Sequence, residues 1–239
     1  MSTRQHYIEV RGLPIEIVRK DIKNLHVGVY PPLGRVRVAV PLRIKDEAVR
    51  LAVISRFGWI RRQQSSFTQQ ERQSQRDFTT GESHYFQGRR YRLNVVEHNG
   101  PSFVHISSSR TMQLFVRSGE DREAIVQRWY RQQLRQQIPS LLAKWQPKIG
   151  ATVSEVRIRK MKTRWGSCNA SAGRISLNLE LAKKSTACLE YILVHELVHL
   201  LERRHNERFK SLMDTLMPSW RLQREELNRA PLAHEKWKY

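Results

Sequence analysis

Three histidines lie within eleven residues of the sequence, with a glutamate directly after the first, in the segment His-Glu-Leu-Val-His-Leu-Leu-Glu-Arg-Arg-His at residues 195–205. Residues four apart on an α-helix lie on one face, so His195 and His199 can offer two imidazoles to one metal ion. Glu196 is the residue type that takes a proton from a water molecule activated by the metal. A catalytic zinc ion takes three protein ligands and keeps a fourth position open, and His205 would complete that set. The pattern predicts a hydrolase that uses Zn²⁺ as its cofactor.

The residues around this pattern predict a helix. The stretch from about 186 to 203 is mostly apolar and contains no glycine or proline, so it is long enough for a buried or half-buried helix. Imidazoles and a carboxylate in such a helix are costly unless they are paired or bound to metal. A metal site is therefore favoured over the alternative, in which the histidines are core residues hydrogen-bonded to the backbone.

His205 needs a change of chain direction to reach the same metal. A straight helix would carry it about 9 Å along the axis from the second histidine, at ~1.5 Å per residue. We therefore expect the first helix to end near residues 203–204. Asn206 can cap a following helix over about residues 207–217, which Pro218 would close.

Further motifs accompany the histidines in a recognisable order. They are Met-Lys-Thr-Arg-Trp-Gly-Ser-Cys at residues 161–168, Gly-Arg-Ile-Ser-Leu-Asn at 173–178, His-Asn-Glu-Arg-Phe at 205–209 and Pro-Ser-Trp at 218–220. With these motifs the chain, from about residue 25 to 228, resembles the YgjP-like family of zinc metallopeptidase-type proteins. That family is related to the minigluzincins and more distantly to the SprT-like proteases.

The resemblance implies an α+β fold and a division of the chain. It implies a β-rich N-terminal half followed by a compact zincin-like catalytic domain, in which the His-Glu-x-x-His helix lies beside a small sheet. We expect a β-rich region over residues 1–120, a connecting helix over 121–150 and the metal-binding catalytic domain over 151–239.

The resemblance also implies roles for individual residues. It implies metal binding by the three histidines, with Glu196 as the general base. Arg164 and Asn178 lie on segments that the family places near the site, so either could orient a substrate or stabilise a developing oxyanion.

Three functions remain open at this stage. The first is a zinc metallopeptidase that acts on peptide or protein substrates. The second is a metal-dependent nucleoside triphosphate pyrophosphatase, an activity also ascribed to the family, although the chain has no Gly-rich phosphate loop and no carboxylate cluster for Mg²⁺. The third is a basic nucleic-acid-associated protease or module, because the net charge of +21 favours non-specific contact with phosphates.

Two cysteines, twenty residues apart, make a disulfide framework unexpected. Cys168 is either a small packed side chain or a thiol that takes part in the chemistry. The N-terminus has no apolar signal-peptide core, and no run of eighteen apolar residues occurs, so we expect a cytoplasmic protein with no membrane partner.

The rest of the chain alternates strand and helix patterns. We expect strands between residues 8 and 40, over 85–96, 103–107, 113–116, 153–161 and 174–179, helices over 46–63 and 121–145, and an exposed connection over 63–81. The strand at 174–179 is a candidate edge strand that could hold a substrate in extended form. Pro139 predicts a kink or break in the second helix.

Overall fold

The computed structural model describes residues 4–30, 34–69, 76–161 and 164–229. Their three β-sheets and six α-helices confirm the predicted α+β class. The chain forms two compact units, Met1–Glu71 and Arg72–Tyr239. No helix in the described ranges is long and apolar enough to cross a membrane.

The first unit is a four-stranded sheet with two helices. Its strands are β1 (Arg4–Val10), β2 (Leu13–Lys20), β3 (His26–Tyr30) and β4 (Arg35–Pro41), in the order β1-β2-β4-β3, and its helices are α1 (Asp46–Ser55) and α2 (Phe57–Gln69). Val36, Val38 and Val40 alternate with Arg35, Arg37 and Ala39 along β4, and the valines enter the core because successive side chains point to opposite faces.

The helix predicted over residues 46–63 is two helices in the structure. They are separated at Arg56, whose amide donates to the carbonyl of Val53 at 3.1 Å, three residues back, which tightens the turn and ends α1. The second helix, α2, extends to Gln69, so the first part of the predicted exposed connection is helical. Residues 70–75 of that connection lie outside the described ranges.

A second four-stranded sheet and the longest helix open the second unit. The strands are β5 (Ser83–Phe86), β6 (Arg89–Glu97), β7 (Phe103–Ile106) and β8 (Thr111–Val116), in the order β5-β6-β8-β7, followed by α3 (Arg122–Ile149). Asp121 caps α3 by accepting a hydrogen bond from the amide of Ala124 at 3.0 Å. The helix continues past Pro139, so no break occurs there. Pro139 lies on the exposed side, while its neighbour Ile138 packs into the core.

A three-stranded sheet and three helices complete the second unit. The strands are β9 (Glu155–Arg159), β10 (Gly166–Asn169) and β11 (Arg174–Asn178), in the order β10-β11-β9, and the helices are α4 (Thr186–Val198), α5 (Glu207–Leu216) and α6 (Trp220–Arg229). β11 pairs with β10 on one side and β9 on the other. The candidate edge strand is therefore central, and β10 is an edge strand instead.

The compact units divide the chain differently from the boundaries at 120 and 150 that we predicted from the sequence. Buried side chains of β6, β8 and α3 form one continuous core with those of β11 and α4, among them Leu93, Leu114, Leu134, Leu177 and Leu193. Because they share that core, the second sheet and the long helix fold with the histidine-bearing helix rather than with the N-terminal strands.

Candidate metal centre

The helix that carries two of the histidines, α4, begins at a serine cap and ends at its second histidine. The Ser185 side chain accepts a hydrogen bond from the amide of Cys188 at 3.3 Å. At the other end, the amides of Leu200 and Leu201 donate to carbonyls three residues back, at 3.0 and 2.9 Å. His199 itself is the C-terminal cap.

The helix therefore ends about five residues earlier than the predicted end near residues 203–204. The apolar pattern continues into Leu200 and Leu201. Hydrophobic periodicity alone therefore did not show that the helix ends before them. None of residues 199–206 has a positive φ, so the turn needs no glycine and accommodates Glu202. Asn206 caps α5 as predicted, accepting a hydrogen bond from the amide of Phe209 at 3.0 Å.

The turn brings the three imidazoles together. The Nε2 atom of His205 lies 3.1 Å from that of His199 and 3.0 Å from that of His195. Three nitrogens around a tetrahedral zinc ion, at ~2.05 Å from it, would be about 3.3 Å apart. The observed spacing is thus close to what one zinc ion requires.

The protonation of the rings also suits a metal. The Nδ1 atom of His199 lies 2.9 Å from the carbonyl oxygen of Glu202, which can only accept, so Nδ1 carries the proton and Nε2 presents its lone pair. Burial, and then the two neighbouring imidazoles, lower the pKa of His195 to about 3. Burial and His199 also lower the pKa of His205. Neutral imidazoles are the form that binds metal.

Aromatic rings support the cluster. The buried ring of Phe209 has its centroid 4.9, 4.7 and 4.8 Å from those of His195, His199 and His205. Tyr191 packs edge-on to His195 at 5.9 Å. Phe209 had no predicted role, although its place four residues after His205 could have indicated one. These contacts restrict the imidazoles to a narrow range of orientations.

Glu196 is buried next to the first histidine, on the same side as β10. It is 5% exposed, and burial raises the pKa of its carboxyl to about 8, while the Arg164 guanidinium acts in the opposite direction. Gly166 of β10 makes this position possible, since a Cβ there would lie 2.5 Å from Oε1 of Glu196. Sequence reasoning did not single out this glycine.

A cleft of about 880 Å³ lies over these groups. Its walls include all four residues of β10, the three histidines and Glu196. Further lining residues include Arg164, Trp165, Ile192 and Arg203. Cys168 also lines it, and burial, followed by the charge of Glu196, raises the pKa of the Cys168 thiol to about 11. The thiol is therefore protonated at neutral pH, which favours a packing role over a nucleophilic one.

Of the two residues predicted to contact the substrate, one lines the cleft and the other does not. Arg164 lies in the cleft wall. The Asn178 amide is buried away from the cleft and is fully used by the backbone. Its Nδ2 donates to the carbonyls of Met161 and Arg164, both at 2.8 Å, and its Oδ1 accepts from the amides of Met161 and Glu180. No hydrogen-bonding capacity remains for a substrate, so Asn178 instead holds the backbone of the segment that carries Arg164.

Comparison with known proteins identifies the family of the chain. The family model for the YgjP-like metallopeptidase domain matches residues 23–230. Among solved structures, the chain is similar to the crystal structure of the metallopeptidase zymogen of Pyrococcus abyssi abylysin, with 25% identity, 40% of this chain and 99% of that chain covered, and a TM-score of 0.34. No curated protein matches the chain. Because the family model spans well over half of the sequence, the chain belongs to the YgjP-like family of metallopeptidase domains.

Proposed function

We propose that this protein is a zinc-dependent peptidase in which His195, His199 and His205 hold the metal and Glu196 is the general base. The observation that carries the proposal is the convergence of three imidazole Nε2 atoms, 3.0 and 3.1 Å apart, beside a buried carboxylate. Zn²⁺ held by three imidazoles supplies Lewis-acid chemistry, which acidifies water and polarises a carbonyl.

The chain's own groups account for the proton transfers. The Glu196 carboxylate accepts the proton of the attacking water and gives it to the amine that leaves. Glu196 is 5% exposed, so this exchange takes place away from bulk solvent. The Arg164 guanidinium, in the cleft wall near Glu196, would stabilise negative charge on the substrate oxygen.

The strand β10 supports a peptide as the substrate. It is an edge of its sheet, no other strand in the described ranges pairs with its free side, and its four residues line the cleft. An extended peptide can add to such an edge through main-chain hydrogen bonds, which place a backbone carbonyl near the catalytic groups.

The test is product analysis by mass spectrometry. Zinc-loaded protein is incubated with a mixture of peptides and nucleoside triphosphates, in parallel with the Glu196→Gln variant. Peptide fragments that form only with the unmodified protein, while the variant keeps its zinc, would support the proposal. Diphosphate and nucleoside monophosphate in place of fragments would assign the site to pyrophosphate hydrolysis, and a fully active variant would remove Glu196 from its role.

A further inference from the structure

The walls of the cleft carry positive charge and almost no negative charge. Of the lining residues, Arg164 and Arg203 are cationic, both are exposed, and Glu196 is the single carboxylate. Glu196 lies at the base of the cleft and is 5% exposed, so a substrate meets the guanidinium groups before it meets that carboxylate.

Among the residues that the structure describes, neither guanidinium forms a salt bridge with a carboxylate. Throughout the ranges that the structure describes, the protein pairs many other arginines with carboxylates, such as Arg174 with Glu155 at 2.7 Å. Arg164 and Arg203 take part in none of these ion pairs. Two unpaired cations that face one cleft attract a ligand of opposite charge.

The two arginines lie near different parts of the cleft. Arg164 precedes β10 and is close enough to Glu196 to lower the pKa of its carboxyl against the effect of burial. Arg203 lies in the turn after α4 and is close enough to Cys168, further along β10, to lower the pKa of its thiol against the effect of burial. A peptide aligned with β10 would therefore pass one guanidinium near the catalytic carboxylate and meet the other further along the strand.

We infer that the cleft selects peptides that carry acidic side chains close to the bond that is cleaved. This inference rests on the proposed peptidase function and adds its substrate class. An acidic peptide fits better than a nucleotide, because the arginines flank an open strand edge and no Gly-rich phosphate loop is present in the sequence.

The experiment compares pairs of peptides that differ only in glutamate or glutamine at the positions around the cleaved bond. For the zinc-loaded protein we expect kcat/KM to be about tenfold higher for the glutamate peptide, as two exposed ion pairs allow, and to lose this advantage as NaCl is raised. Arg203→Gln should reduce the preference about threefold, and Arg203→Glu should shift it towards lysine-containing peptides.

Arg204→Gln is the matched control. It makes the same change in charge one residue away, on an exposed side chain that does not line the cleft, so the preference should stay unchanged. Zinc content is measured for every variant, so that an effect on metal binding is separated from an effect on selection.

A binding measurement separates selection from turnover. Labelled peptides are titrated with the zinc-loaded Glu196→Gln variant, and their binding is measured by fluorescence anisotropy. Cleavage of both peptides at equal rates would overturn the inference and leave the peptidase function standing. Preferential binding of the glutamate peptide without cleavage by the unmodified protein would support selection of acidic peptides by the cleft and overturn the peptidase function. Hydrolysis of nucleoside triphosphates alone, with no peptide bound or cut, would overturn both.

Discussion

Glu196 can lie against β10 only because residue 166 has no side chain. A Cβ at Gly166 would be 2.5 Å from Oε1 and 2.7 Å from Cγ of Glu196, which is closer than real Cβ atoms approach such groups. The carboxylate that we propose as the general base therefore lies against the strand that we propose binds the substrate, and the position of one depends on the other.

Gly166→Ala should therefore displace the carboxylate and lower kcat/KM by about a hundredfold, as expected for a shift of about 1 Å in a catalytic group. Zinc content should stay the same, because the three atoms nearest to the new Cβ all belong to Glu196. The matched control is Gly58→Ala in α2, where a new Cβ would meet the side chain of Arg62 at an ordinary 3.6 Å. Full activity in Gly166→Ala would show that Glu196 tolerates displacement.

For single residues, the sequence allowed a prediction where residue type and spacing together indicate a chemical role. His195, His199, His205 and Glu196 are at positions fixed by the helix repeat and one turn. Asn178 was assigned by resemblance, and its orientation depends on hydrogen bonds to the segment around Met161 that no spacing rule describes. Gly166 was overlooked because its role depends on the absence of a side chain, which leaves room for the carboxyl group of Glu196.

The short turn between α4 and α5 positions the third histidine. It reverses the chain within the seven residues between Val198 and Asn206, and His205 is the last of them, directly before the capping residue of α5. The arrangement of the three imidazoles is thus determined by where one helix ends and the next begins.

Asn206→Ala should reduce the free energy of unfolding by about 1 kcal/mol, the usual effect of losing a helix cap, and should also weaken zinc binding, because His205 is next to the cap. Asp121→Ala removes the equivalent cap of α3, also a 3.0 Å hydrogen bond, far from the histidines in sequence. Asp121→Ala should reduce the free energy of unfolding by a similar amount and leave the zinc affinity unchanged. Urea denaturation and zinc competition titrations measure the two effects, and equal zinc affinities in both variants would contradict the link between cap and metal.

The start of α5 could be predicted because Asn206 marks it with a specific hydrogen bond, whereas the end of α4 could not. Leu200 and Leu201 extend the apolar pattern past the true end of the helix. The strand β10 was also not apparent, since Gly-Ser-Cys-Asn has little intrinsic strand preference and is held by its pairing with β11.

For the whole molecule, the continuous core of the second unit connects α4 to α3 and to two sheets. The predicted boundary at 120 followed the change from strand patterns to a helix pattern. The sequence could not show that both elements contribute to the same core, because packing between distant segments leaves no local signal.

Zinc should therefore stabilise the folded second unit as a whole. At a free zinc concentration one hundred times the dissociation constant, the gain is about 2.7 kcal/mol, or roughly 5–10 °C in Tm for a unit of this size. Scanning calorimetry with zinc and with a chelator measures this shift. Glu196→Gln should keep the shift and His199→Ala should lose most of it, and an equal shift in both would argue against the assigned ligands.

The stability of the protein should also depend on pH through His84, which lies in the core of the second unit. Burial, with the Arg76 guanidinium nearby, lowers the pKa of His84 to about 4. The unfolded chain takes up this proton near pH 6.5 and the folded chain does not, so stability falls as the pH drops from about 6.5 to 4, by up to about 3 kcal/mol.

His84→Gln should flatten that part of the stability profile, while the same change at the exposed His105 should leave it as it is. Urea denaturation at intervals between pH 4 and pH 7 gives the comparison. A profile equally steep in the His84 variant would show that other groups cause the dependence.

The open side of β10 also bears on how copies of this protein behave towards one another. Unpaired strand edges are the usual starting points of sheet-to-sheet aggregation, and short, charged edges resist it. β10 is only four residues long, and Arg164 and Arg203 stand near it, so two such edges brought together would place like charges face to face. The positive charge that draws a substrate to this edge also keeps it from joining the same edge of another copy.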